Sequence, residues 1–243
     1  MPKDGPERVC AYCGDASARL TREHVWPRWL SFEIGNEREP YAHAVDGNVT
    51  RTWWGPPASL TVKRICATCN NGWMSRCEDS VEPILRPMIR NAALSIPVAE
   101  QKLLAIWALK TGTACDLATG RPAAPAELRR ELVDASDIPD GITALVARYA
   151  GTRYPLLAGS WVKTLDFEIA NRPFRQRCLQ LTVGAGPVVF QIFGHGLAGV
   201  AEFRPVGLKA DFMQVIWPAM ATLCWPLPTA LGDDGLRRLA AEP

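Results

Sequence analysis

Two short cysteine pairs constrain this chain more than any other feature: "CAYCG" at residues 10–14 and "CATCN" at 66–70. Each is a CxxC knuckle. Together Cys10, Cys13, Cys66 and Cys69 offer four soft thiolates, the ligand set of a closed, tetrahedral structural zinc site. The alternative left open by the residues themselves is four free or redox-active cysteines, which would not need two knuckles. Cys77, Cys115, Cys178 and Cys224 are scattered and read as small buried apolar residues. The knuckles stand further apart than in a usual zinc ribbon, so something is inserted between them. That insert contains His24, one of only three histidines in the chain.

The compartment matters to this reading, because CxxC pairs in a reducing environment are metal ligands rather than a disulfide framework. The first ten residues, "MPKDGPERVC", carry charges and prolines where a secretory signal has an apolar run. The longest apolar runs, "LLAIWAL" and "PVVFQIF", stop short of the roughly 18 residues that cross a bilayer. No membrane association and a cytoplasmic location are therefore expected. With 48% apolar residues in a chain of 243, a substantial core is expected. A net charge of +2 does not by itself announce a nucleic-acid binder, so any basic surface has to be local.

The organisation expected is α+β in two parts. Residues 1–91 hold both knuckles and a polar, Gly/Pro-punctuated insert, with too few regular apolar positions for an oil-like core. Zinc, which can contribute on the order of 10 kcal/mol to folding, is the expected nucleus. After the second knuckle, Trp73, Cys77, Val81 and Leu85 recur at steps of four, predicting a helix from about Asn71 to Glu82 that ends near Pro83. Residues 92–243 read as helices followed by a mostly antiparallel sheet. A helical stripe runs through "AEQKLLAIWALKTGTACDLAT", and "PAELRRELVDAS" opens a shorter helix at Pro125. Strands are expected in "GITALVARYA", "SWVKTLDFEIA", "RCLQLTVGAG", "PVVFQIFGHG" and "FMQVIWPAM", with a last short helix in "GDDGLRRLAAE".

The chemistry-bearing stretch is "LTREHVWPRW", residues 20–29. A first CxxC, then the acid–His pair Glu23–His24 with Pro27 three residues on, then a second CxxC followed at once by Asn70 and a helix, resembles the HNH or His-Me finger endonucleases. The closest pattern is the zinc-stapled branch typified by phage endonuclease VII. The resemblance covers about the first 85 residues. It implies a ββα-metal module, with strands near Arg19–Val25 and Leu60–Ile65 and a helix from near Asn71. It also implies His24 as general base, and Glu23 with Asn70 as ligands of a catalytic divalent ion such as Mg2+, Mn2+ or Ni2+. Asn48 is the candidate for the asparagine that orients the base's loop. Two departures stand out: Glu23 where relatives more often have Asp, and Asn70 where many have His.

The implied activity is hydrolysis of DNA phosphodiester bonds, in duplex or branched DNA, as in a restriction or phage-defence effector. Imidazole, with an ordinary pKa of about 6.5, suits deprotonation of a water near neutral pH. A hard cation would stabilise charge developing on the phosphate and on the leaving 3′-oxygen. Cutting both strands of a duplex implies a homodimer. Residues 92–243 would recognise DNA or receive a ligand or protein regulator. Because neighbouring side chains on a strand point to opposite faces, a bend or bulge near residue 24 is expected if Glu23 and His24 share a phosphate. The contrasting reading is a non-catalytic zinc-binding module for nucleic acid or protein, in which Glu23 and Asn70 only form hydrogen bonds.

The remaining candidates carry weaker signals. His43 reads as structural or solvated and His195, in "FGHG", as a turn residue. Trp53 and Trp54, beside Arg51, suit either base stacking or packing. Trp26, Trp29 and Trp73 are expected in a small core. "RPFRQR", with Arg172, Arg175 and Arg177, reads as a turn that either meets phosphate or is solvated.

Overall fold

The computed structural model describes residues 9–35, 39–45, 48–134, 137–169, 172–194 and 211–241. Strand β1 (Leu20–His24) is followed by helix α1 (Leu30–Ile34) and by strands β2 (Glu39–Val45), β3 (Asn48–Gly55) and β4 (Thr61–Cys66). One turn of helix, α2 (Ala67–Cys69), leads through a π-helical stretch, Asn70–Met74, into α3 (Ser75–Ile89). Strand β5 (Leu94–Ile96), helix α4 (Val98–Ala118) and helix α5 (Ala126–Glu131) come next. The carboxy-terminal part is β6 (Ile142–Arg148), β7 (Leu156–Ile169), β8 (Arg172–Ala185), β9 (Val188–Gly194), β10 (Met213–Trp217), β11 (Leu223–Trp225) and α6 (Asp233–Ala241). The class is α+β.

Helix α4 organises the molecule. Every residue from Leu104 to Leu117 is buried, so this helix has no solvent face and its apolar residues run all the way round. One side lies on the sheet and the other on α3 and β4. Trp107 is fully buried and meets the edge of Phe190 with ring centroids 5.9 Å apart, while Trp26 approaches it at 6.4 Å. Gly112 permits the close approach: a Cβ there would stand 3.1 Å from the Leu181 side chain.

The main sheet has seven strands in the order β10-β6-β9-β8-β7-β2-β3. Neighbours are antiparallel except β2 and β7, which run parallel where Val45 pairs with Ser160. Both faces are covered, which is why β6 and β9 read as continuous apolar runs instead of alternating. Ala144 and Val146 join the cluster around α4, whereas Leu145 and Ala147 pack with Leu236 and Leu239 of α6. The carbonyls at the end of α6 are satisfied by the sheet: Trp161 donates to Ala240 O at 2.6 Å and Gln191 to Leu239 O at 2.7 Å.

Several sequence expectations need correction. Helix α3 does not end near Pro83 but continues to Ile89 through both Pro83 and Pro87. Pro83 is exposed, so the helix carbonyl it leaves unpaired faces water, while Leu85, Met88 and Ile89 stay buried on the other side and hold the helix together. The insert between the knuckles forms the β2–β3 hairpin and extends the main sheet, with pairing to β7 supplying the stability its own composition lacks. "RPFRQR" is the start of β8 and not a turn. Of the scattered cysteines only Cys115 is buried; Cys77 and Cys178 are half-buried and Cys224 is exposed. One cluster of buried side chains runs from Cys10 to Leu227, so residues on both sides of position 91 share a core.

Candidate functional site

The two knuckles come together. The four cysteine sulfurs all lie within 4.8 Å of one another, Cys10 Sγ 3.9 Å from Cys69 Sγ and Cys13 Sγ 3.7 Å from Cys66 Sγ. A tetrahedral zinc with Zn–S bonds of about 2.3 Å spaces its sulfurs about 3.8 Å apart, whereas a disulfide needs about 2.05 Å. The geometry fits a metal such as zinc. The first knuckle is turned by Gly14, at φ 76°, whose N–H donates to Cys10 O at 3.0 Å. The second is the end of β4 continuing into α2.

Backbone donors support the sulfurs: Cys66 N–H points to Cys10 Sγ and Cys69 N–H to Cys66 Sγ, each at 3.4 Å. Burial raises the Cys10 thiol, but the surrounding backbone N–H groups outweigh it and bring the group down to about 7. Burial and the neighbouring Cys10 charge push Cys69 up. A bound cation would reverse that penalty, because a thiolate that is costly alone is stabilised by the metal.

The knuckle is anchored in the carboxy-terminal part. Tyr12, between Cys10 and Cys13, is fully buried, with its hydroxyl 2.9 Å from Thr113 Oγ1 of α4 and its ring edge-on to Trp73 at 5.6 Å. Arg129 of α5 donates to Ala11 O at 3.2 Å and to Ala124 O at 2.7 Å.

Strands β1 and β4 are antiparallel, Thr21 opposite Ile65 and His24 opposite Thr61. The register shifts between Thr21 and Glu23, where Lys63 and Arg64 of β4 together face Arg22. The expected irregularity is therefore present, but the additional residue belongs to β4 and β1 keeps its alternation. Glu23 is 5% exposed and faces the interior, while Arg22 is exposed and His24 half-buried on the other face. His24 Nδ1 is buried and has no hydrogen-bond partner among the described residues.

Glu23 meets a cation the sequence did not announce. Lys110 of α4 is fully buried, its Nζ hydrogen-bonded to Glu78 Oε1 of α3 and 3.7 Å from Glu23 Oε1. Burial pushes the Glu23 carboxyl up to about 7 against the opposing pull of Lys110, and Glu78 adds to the rise. Burial works against the Lys110 ammonium, yet Glu78 and Glu23 hold its pKa above the ordinary value. The available signal was a single lysine inside a run, "LLAIWALKTGTAC", too apolar to keep it at a surface.

Asn70 sits at the π-helical entry to α3, and its amide donates to Thr21 Oγ1 at 3.0 Å. Thr21 in turn donates to Ile65 O at 3.2 Å, so Asn70 fastens the helix entry to the inner face of β1. Asn48 opens β3 opposite Val45, in the hairpin at the edge of the main sheet and not in the β1–β4 pair. The side chains of Asn48, His43, Trp53 and Arg172, and all of His195, lie outside the described residues. Trp54 is 67% exposed, Trp26 and Trp73 are buried, and Trp29 is half-buried with the Arg86 guanidinium 5.2 Å from its ring.

The divalent ion implied by the resemblance is a poorer fit than zinc. A hard cation takes six or more oxygen ligands, several of them water. Here Glu23 is buried against an ammonium, an arrangement that leaves its carboxylate already paired. Comparison of the chain with protein-family models, with curated proteins and with solved structures gave no match.

Proposed function

We propose that this chain is an HNH-type endonuclease that hydrolyses DNA phosphodiester bonds with His24 as general base. The observation carrying this reading is the outer face of the β1–β4 ribbon. His24 shares that face with Arg22, two residues before it, and Lys63 stands opposite Arg22 across the bulge. Arg22 and Lys63 are exposed, and neither forms an ion pair with another described residue. A half-buried imidazole on the same face as two exposed cations suits a phosphodiester. The cations hold the non-bridging oxygens. His24 takes a proton from water as the new O–P bond forms, the P–O3′ bond breaks, and the leaving oxygen is protonated from solvent.

The four-cysteine cluster acts at a distance in this reading. By fixing the end of β4 and the entry to α3, it sets the twist and register of the ribbon that presents His24. Supercoiled plasmid incubated with the protein and with His24→Ala, with and without EDTA and added manganese, tests the activity. Nicking or linearisation by the wild type that the variant lacks supports it; equal nicking by both refutes the role of His24.

One observation favours a second reading, a non-catalytic zinc-binding module for nucleic acid: Glu23 is sequestered by Lys110. In that case the plasmid is bound and left intact, and His24→Ala changes nothing measurable.

A further inference from the structure

We infer that Lys110 is the resident cation of the candidate site, held between Glu23 and Glu78 where the resemblance would put a divalent ion. Helix α4 is buried along the whole stretch around Lys110, which has no exposed surface, and an ammonium there persists only with counter-charges. Two carboxylates supply them, each from an element of the candidate site: Glu23 from β1, one residue before His24, and Glu78 from α3, the helix entered through Asn70. The ammonium thus ties the strand that carries His24 to the helix behind it.

A divalent ion on Glu23 would have to sit beside this positive charge, which is carried by a fully buried side chain. The arrangement gives the carboxy-terminal part a place in the site. Lys110, on the far side of residue 91, completes the charge balance of two residues that precede it, so residues 1–91 alone would lack the cation that Glu23 and Glu78 share. The inference rests on the proposed function only for the importance it gives to β1; the pairing itself stands on geometry.

Direct Mn2+ binding to the full-length, zinc-loaded protein tests it, read by electron paramagnetic resonance of free manganese. The wild type is compared with Glu23→Gln and Lys110→Met. Glu23→Gln keeps the Lys110–Glu78 pair, so it is expected to fold and to bind Mn2+ within fivefold of the wild type, or equally not at all. Folded Lys110→Met leaves two carboxylates without a cation and is expected to bind Mn2+ at least tenfold tighter than the wild type. A fivefold or greater loss in Glu23→Gln overturns the inference, as does a folded Lys110→Met with unchanged binding. Should Lys110→Met fail to fold, the Glu23→Gln comparison decides alone. Loss of nuclease activity in His24→Ala bears on the proposed function and leaves this readout untouched.

Discussion

Removing one cysteine sulfur tests the metal centre. Cys66 ends β4, accepts the Cys69 N–H at 3.4 Å and lies 3.7 Å from Cys13 Sγ, so Cys66→Ser withdraws a sulfur of the second knuckle that faces the first. Structural zinc sites contribute on the order of 10 kcal/mol, comparable with the ~5–15 kcal/mol net stability of a whole domain. If the variant forfeits about half of that, a chain of this size, at roughly 2–4 °C per kcal/mol, melts about 10–20 °C lower. The assay pairs zinc content by mass spectrometry with thermal melting and near-ultraviolet circular dichroism. Tyr12 and Trp73, 5.6 Å apart and each next to a knuckle, supply a local aromatic signal. The account expects about one zinc per wild-type chain, little in the variant, and loss of that signal. A variant that melts within about 2 °C of the wild type with its aromatic spectrum intact would refute the reasoning.

Other consequences follow from the same contacts. The Glu23 carboxyl holds its proton up to about 7 in the fold, against an ordinary value of 4.5, so between those limits the folded chain binds more protons than the unfolded one. Stability should therefore fall as pH rises through that window, and denaturant titrations of Glu23→Gln should show a shallower fall. Arg22→Ala and Lys63→Ala should each weaken DNA binding without changing sequence preference, lowering the slope of log affinity against log salt by about 1; an unchanged slope in fluorescence anisotropy would remove these residues from the phosphate contact. Tyr149 hydrogen-bonds Asp233 and accepts the N–H groups of Arg153 and Tyr154 at 3.1 and 3.2 Å. Tyr149→Phe, which removes the hydroxyl from Asp233 and from the Tyr154 N–H, should cost about 1–3 kcal/mol in chemical denaturation.

Most of the architecture was legible because it follows from local periodicity. The stripe through Leu104 and Trp107 gave α4, and the apolar runs around Val146 and Phe190 gave β6 and β9 within a residue or two. The four cysteines were legible because paired knuckles have few other uses. The β2–β3 hairpin was not, since its strands owe their stability to a distant neighbour, β7, although the Asp46-Gly47 dipeptide between them is a turn signal. Helix α3 ran past Pro83 because tertiary burial of Leu85 and Met88 outweighed a rule of local geometry. Lys110 was missed as a partner of Glu23 for the same reason: 87 positions of chain separate 23 from 110, and no pattern along the sequence links them.

Single-turnover cleavage of a labelled DNA duplex tests the central claim most directly, comparing the wild type, His24→Ala, and His24→Ala with added imidazole. General-base catalysis by one side chain is worth about 10²–10⁴-fold. The account predicts a loss of that size in His24→Ala and a partial return of rate with imidazole, which restores the missing base. Cleavage by His24→Ala within about tenfold of the wild type, or a wild type that leaves the duplex whole, would contradict it.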